Sequence, residues 1–153
     1  LPTLPLPKKY TLCEVPTTRQ SANKSTILLV DDNVTIHCLL TDLLHETYNI
    51  VAITDSERVV DMLHTGKYDL LISKTNMPVI SGIGLTRTIK AETAISHIPC
   101  GLLASANRGE ERNAALEAGA DLYVAKPIEQ DDLMKEIAVL LQYKKVQAYL
   151  NSR

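Results

Sequence analysis

Five side chains suited to charge chemistry or strong hydrogen bonding stand directly after short apolar runs. They are Asp31 and Asp32 after Ile27–Val30, Lys74 after Leu70–Ser73, Ser105 after Cys100–Ala104, and Lys126 after Leu122–Ala125. Adjacent carboxylates are natural ligands for a hard divalent cation. A hydroxyl with two ammonium groups suits a small anion such as phosphate. One charged residue after an apolar run is ordinarily a solvated loop residue. Five in equivalent positions are hard to assign to solvation alone, provided that the runs lie side by side.

The apolar runs predict that they do. Ile27-Leu28-Leu29-Val30, Ile50-Val51-Ala52-Ile53, Leu70-Leu71-Ile72-Ser73, Cys100 to Ala104 and Leu122-Tyr123-Val124-Ala125 are continuously apolar, as strands buried on both faces are. Helical spacing fills the intervals. Ile36, Leu39, Leu40, Leu43 and Leu44 form one stripe, and Val59, Val60 and Leu63 mark a short helix with Ser56 or Asp55 as its cap and Gly66 at its end. A third helix is predicted around Leu85 to Lys90 and a fourth over Glu110 to Ala118, stopped by Gly119. The last carries Leu133, Ile137, Leu140 and Leu141 and reaches about Tyr149. Five strands alternating with five helices imply an α/β fold with a doubly wound five-stranded parallel sheet. In such sheets functional groups gather at the carboxyl ends of the strands, where strand order reverses.

The 153 residues suit one domain and a tail. Residues 1–24, with Pro2, Pro5, Pro7 and Pro16, read as a proline-rich linker; residues 25–143 form the domain, and 144–153 a C-terminal helix extension. A composition of 45% hydrophobic and 22% charged residues argues against wholesale disorder. Net charge is −2, so no basic excess grips nucleic acid or anionic lipid. Six Tyr without Phe or Trp are too few for a base-stacking platform. Cys13, Cys38 and Cys100 share no ligand spacing and read as reduced thiols of a cytoplasmic protein. No apolar run approaches the roughly 18–20 residues that span a bilayer, and there is no signal-peptide pattern. Opening on Leu1 suggests a piece of a longer chain.

Several stretches together resemble the CheY-like receiver (response regulator) domain of two-component phosphorelay signalling. They are Ile27-Leu28-Leu29-Val30-Asp31-Asp32-Asn33, Asn76-Met77-Pro78 with Gly82, Ser105-Ala106, and Ala118-Gly119-Ala120-Asp121 leading to Tyr123-Val124-Ala125-Lys126-Pro127. The resemblance covers residues 25–143 and implies a flavodoxin-like (βα)5 fold. It also implies roles: Asp31, Asp32 and the Asn76 carbonyl as Mg²⁺ ligands, Ser105 and Lys126 as phosphoryl contacts, Ser105 and Tyr123 as the switch pair, and a cis Pro127. Ser96-His97-Ile98-Pro99 and Tyr143-Lys144-Lys145 further resemble receivers of hybrid sensor histidine kinases, in which kinase, receiver and an AraC-type transcription regulator share one chain.

The family's phosphoacceptor is an Asp two residues before Asn76, and this sequence has Lys74 there. An ammonium beside two carboxylates stays protonated and has no lone pair with which to attack phosphorus. Ser73 and Thr75 flank the position, but neighbouring strand residues point to opposite faces. The resemblance therefore implies a non-enzymatic pseudo-receiver. Asp31 and Asp32 are balanced by Lys74 and Lys126, so the rim is neutral without a metal, and Mg²⁺ is expected to bind weakly or not at all. In this reading Lys74 pairs with both carboxylates, and its removal costs on the order of 3 kcal/mol if the pair is buried. Simple loss of the acceptor and an engineered substitution remain alternatives for Lys74. Alternatives for the whole domain are a receiver phosphorylated on another residue and a sensor of small anions held between Lys74 and Lys126. By analogy, partners are a protein or a second copy at the face of helix four, strand five and helix five around Ala114, Tyr123 and Leu133, with no direct contact to nucleic acid or membrane.

Other signals carry less. His45-Glu46 lacks the residues of a phosphorylated histidine box and reads as a frayed helix end. His37, His64 and His97 have no metal spacing. Gly82-Ile83-Gly84 lacks the rest of a phosphate-binding fingerprint, and Lys144-Lys145 reads as a solvated helix end.

Overall fold

A computed structural model describes residues 24–77, 80–105, 109–125 and 129–151. The expectations for the linker over residues 1–23, and for Lys126 and Pro127, lie outside the described residues.

The strands are β1 (Thr26–Val30), β2 (Asn49–Ile53), β3 (Leu70–Lys74), β4 (Cys100–Ala104) and β5 (Leu122–Ala125). The helices are α1 (Val34–Leu44), α2 (Val59–Thr65), α3 (Gly82–Ala91), α4 (Gly109–Glu117) and α5 (Gln130–Asn151), with a 3₁₀ turn over Ser56–Arg58 leading into α2. All strand pairs are parallel and the order is β2-β1-β3-β4-β5. This is the flavodoxin-like arrangement expected from the alternating apolar runs. Successive connections leave β1 in opposite directions, so the switch point lies between β1 and β3.

Side-chain alternation explains why the strands read as unbroken apolar runs. Ile27 and Leu29 of β1, with Leu70 and Ile72 of β3, pack under α1 and α5 against Leu40, Leu44, Leu133, Ile137 and Leu141. Leu28 and Val30, with Leu71, face the other way onto Val59 and Leu63 of α2 and Leu85 and Ile89 of α3. Both sheet faces are buried, so the middle of each strand is apolar on both sides.

Local signals set the helix starts. Asn33 caps α1 by accepting the Thr35 N–H at 2.9 Å, and Ser81 caps α3 by accepting from Gly84 at 3.0 Å. Asp55 accepts from Glu57 at 2.9 Å and so opens the 3₁₀ turn rather than α2 itself. Gly119 has φ of +104°, a left-handed turn after α4 that glycine enters without a Cβ penalty.

Two expectations are corrected. Cys38 is disulfide-bonded, so only Cys100, among the described cysteines, is a free thiol. Lys144 is not simply solvated: its Nζ lies 4.0 Å from Asp121 Oδ1.

Candidate functional site at the carboxyl edge of the sheet

The ends of β1 and β3 bring Asp31, Asp32 and Lys74 together. Val30 pairs in register with Ser73, so the residues that follow, Asp31 and Lys74, emerge side by side at the switch point. Lys74 is the last residue of β3 rather than the first residue beyond it. Its Nζ donates to Asp32 Oδ1 at 3.1 Å, with side-chain exposures of 27% and 35%.

The two carboxylates are not equivalent. Asp31 is buried, its Oδ1 accepts the Asn33 N–H at 2.8 Å, and its own N–H donates to the Ile53 carbonyl at 3.2 Å. Burial raises its pKa, partly opposed by the Asn33 N–H and the Lys74 charge. Asp32 faces solvent, and the hydrogen bond from Lys74 lowers its pKa. The expected sharing of Lys74 between both carboxylates is therefore corrected. The ammonium hydrogen-bonds Asp32, while Asp31 feels it only as a nearby charge, because the buried carboxylate is already turned onto the start of α1.

Ser105 stands exposed at the carboxyl end of β4, the strand next to β3. Asn76 is exposed in the loop after β3. Ser73 and Thr75 are both buried, and the Ser73 hydroxyl donates to the Lys74 carbonyl at 3.0 Å. Neither flanking hydroxyl presents itself at the rim beside Lys74.

Tyr123 of β5 is buried against α4, where its hydroxyl donates to Glu111 Oε1 at 2.7 Å and the Arg112 guanidinium lies 5.8 Å from the ring centre. Leu133 belongs to the core under α5. Of the residues expected at the interaction face, Tyr123 and Leu133 are buried packing groups and Ala114 is half-buried on α4.

Three groups carry more in the structure than their place in the sequence indicated. Gly82 opens α3 directly on the Lys74 backbone: a Cβ there would collide with the Lys74 carbonyl oxygen, and its N–H donates to the Thr75 carbonyl at 2.8 Å. The glycine thus sets where β3 ends. His37 is buried in α1, where its Nε2 has no hydrogen-bond partner among the described residues; burial lowers its pKa while the charges of Asp31 and Asp32 oppose that shift. At the opposite edge, Lys90 donates to the carbonyls of Ser96 and Ile98 at 3.2 and 2.9 Å and to Asp121 at 3.1 Å, and Asp121 accepts the Cys100 N–H at 2.9 Å. The motif residue Asp121 therefore ties α3 to the start of β4. A lone Gly, His or Lys has no spacing signature, so only the Gly82 neighbourhood of the motif offered a clue.

Residues 27–138 match the family model described as "Response regulator receiver domain". Chemotaxis protein CheY of Pseudomonas aeruginosa is 30% identical over 118 residues, covering 76% of this chain and 95% of that protein. Sensor histidine kinase TmoS of Ectopseudomonas mendocina is 26% identical over 141 residues, which are 92% of this chain but only 14% of the kinase. A putative response regulator from Chloroflexus aurantiacus superimposes with a TM-score of 0.75 at 26% identity, over 78% of this chain and 99% of that one. The receiver domain of a Syntrophus aciditrophicus histidine kinase gives 0.71 at 30% identity, over 77% and 90%. Among the described residues no helix is long and apolar enough to cross a membrane. With the sheet order, the carboxyl-edge aspartates and these relatives in agreement, the chain belongs to the response regulator receiver domain family.

Proposed function

We propose that this receiver signals through protein contacts, with its rim closed by an internal ion pair, and forms no aspartyl phosphate. The observation that carries the reading is the Lys74 ammonium 3.1 Å from Asp32 at the acceptor position of β3. Phosphoryl transfer to a receiver needs a carboxylate oxygen in line with phosphorus, and a protonated amine supplies neither the lone pair nor the acyl oxygen.

The same geometry bears on Mg²⁺, which the family implies. Magnesium requires near-octahedral oxygen ligands. Here Asp32 Oδ1 is engaged by an ammonium, Asp31 Oδ1 by the Asn33 N–H, and burial already disfavours the ionised form of Asp31. These residues do not suit the ion, and the vestigial set Asp31, Asp32 and Asn76 is read as a structural remnant. The proposed partners are proteins, including kinase or DNA-binding domains on a parent chain. Two histidine kinase relatives, each matched over 14% of its length or less, support such a setting.

Incubation with acetyl phosphate and Mg²⁺ followed by intact mass measurement tests the reading. No labile gain of about 80 Da, one phosphoryl group, is expected. Such a gain, mapped to any residue of the chain, would overturn it.

A further inference from the structure

Helix α5 is apolar on two opposite sides. Leu133, Ile137 and Leu141 face the sheet and are buried. Val139, Tyr143, Val146 and Leu150 lie in solvent at 65, 56, 46 and 60% exposure. At roughly 100° of turn per residue this second stripe centres opposite the first. Its spacing of four, three and four residues is the seam of a coiled coil, narrower than the broad face that a helix lays on a sheet. All four residues follow position 138, where the match to the receiver family model ends.

We infer that the outer stripe of α5 pairs with the same stripe of a second copy, the two helices running antiparallel about a twofold axis. The pattern is self-complementary in that direction. Tyr143 of each copy meets Val146 of the other, large against small, and Val139 meets Leu150. The flanking Gln142 and Gln147 are uncharged, so they neither repel an identical helix nor select a charged partner. Tyr143 already accepts a hydrogen bond from Gln147 at 2.9 Å, which leaves its ring free to pack. The acidic first turn decides direction: a parallel pair would set Asp131 and Asp132 of both copies near one another, whereas antiparallel helices separate them and align opposite dipole ends. Pairing covers on the order of 1,000 Å² in all, at the lower bound for a specific interface, so the dimer is weak and concentration-dependent. The inference does not depend on whether residue 74 accepts phosphate.

Sedimentation of the 153-residue chain from about 10 μM to about 1 mM is expected to show a monomer–dimer equilibrium, weakened at least about tenfold by Val146→Glu or Tyr143→Glu. Both positions are exposed, so circular dichroism should be unchanged. Leu39→Glu, an exposed apolar site on α1, is expected to leave dimerisation intact. On oxidation, Val139→Cys mixed with Leu150→Cys should form a disulfide, while Leu150→Cys alone should not, its two copies lying about 17 Å apart. A wild-type chain monomeric throughout, a dimer indifferent to Val146→Glu, or ready self-linking of Leu150→Cys would each refute the arrangement.

Discussion

Substituting Lys74→Asp exchanges an ion pair for a third carboxylate, and the structure sets the size of the effect. The pair lost is one-quarter to one-third exposed, so it contributes about 0.2–1 kcal/mol, well below the ~3 kcal/mol expected for a buried pair. The new carboxylate beside Asp31 and Asp32 adds repulsion, limited because Asp31, whose pKa burial already raises, takes up a proton first. The metal-free variant should therefore be less stable than the wild type by about 1–3 kcal/mol. Three carboxylates then recreate an oxygen site for Mg²⁺. With a dissociation constant on the order of 1 mM, 10 mM Mg²⁺ returns about 1.4 kcal/mol. For a domain of this size that raises Tm by about 3–5 °C. The assay is thermal unfolding of both proteins against added MgCl₂ at constant ionic strength, because bulk salt also screens the cluster. The wild type should move by less than about 1 °C. A wild-type Tm that climbs with Mg²⁺ as steeply as the variant's would refute the closed-rim reasoning. A variant that ignores Mg²⁺ would show that more of the site than residue 74 has been lost.

Gly82→Ala drives a Cβ into the Lys74 carbonyl and should cost about 1–3 kcal/mol, read from the urea midpoint. Tyr123→Phe removes the hydrogen bond to Glu111 but keeps the packed ring; a loss of about 1 kcal/mol is expected by the same measurement. Burial lowers the pKa of His37, so the folded state binds fewer protons than the unfolded chain as pH falls through 6.5. Stability should drop over that range, and His37→Leu should flatten the drop in pH-dependent unfolding. Asp31 runs the other way: its raised pKa makes ionisation costly to the fold above that pKa, so Asp31→Asn should raise the urea midpoint at neutral pH.

The strand runs were legible because both faces of a parallel sheet are buried; β4 and β5 emerge with the predicted bounds. The helix bounds were less so. The polar, exposed ends of α3 and α4 carry no periodicity, and α5 runs two residues past the expected Tyr149. Asp31, Asp32 and Lys74 could be gathered on one edge from their positions after the runs, since parallel strands align their carboxyl ends.

The linear order of residues determined the alternation of strand and helix and the edge on which Asp31, Asp32 and Lys74 collect. Only the tertiary arrangement decided which carboxylate that lysine holds, how much water reaches the pair, and which side of α5 remains uncovered. Those outcomes depend on distances between segments some forty residues apart and on solvent access, and both are set by how the helices pack across the sheet rather than by spacing along the chain.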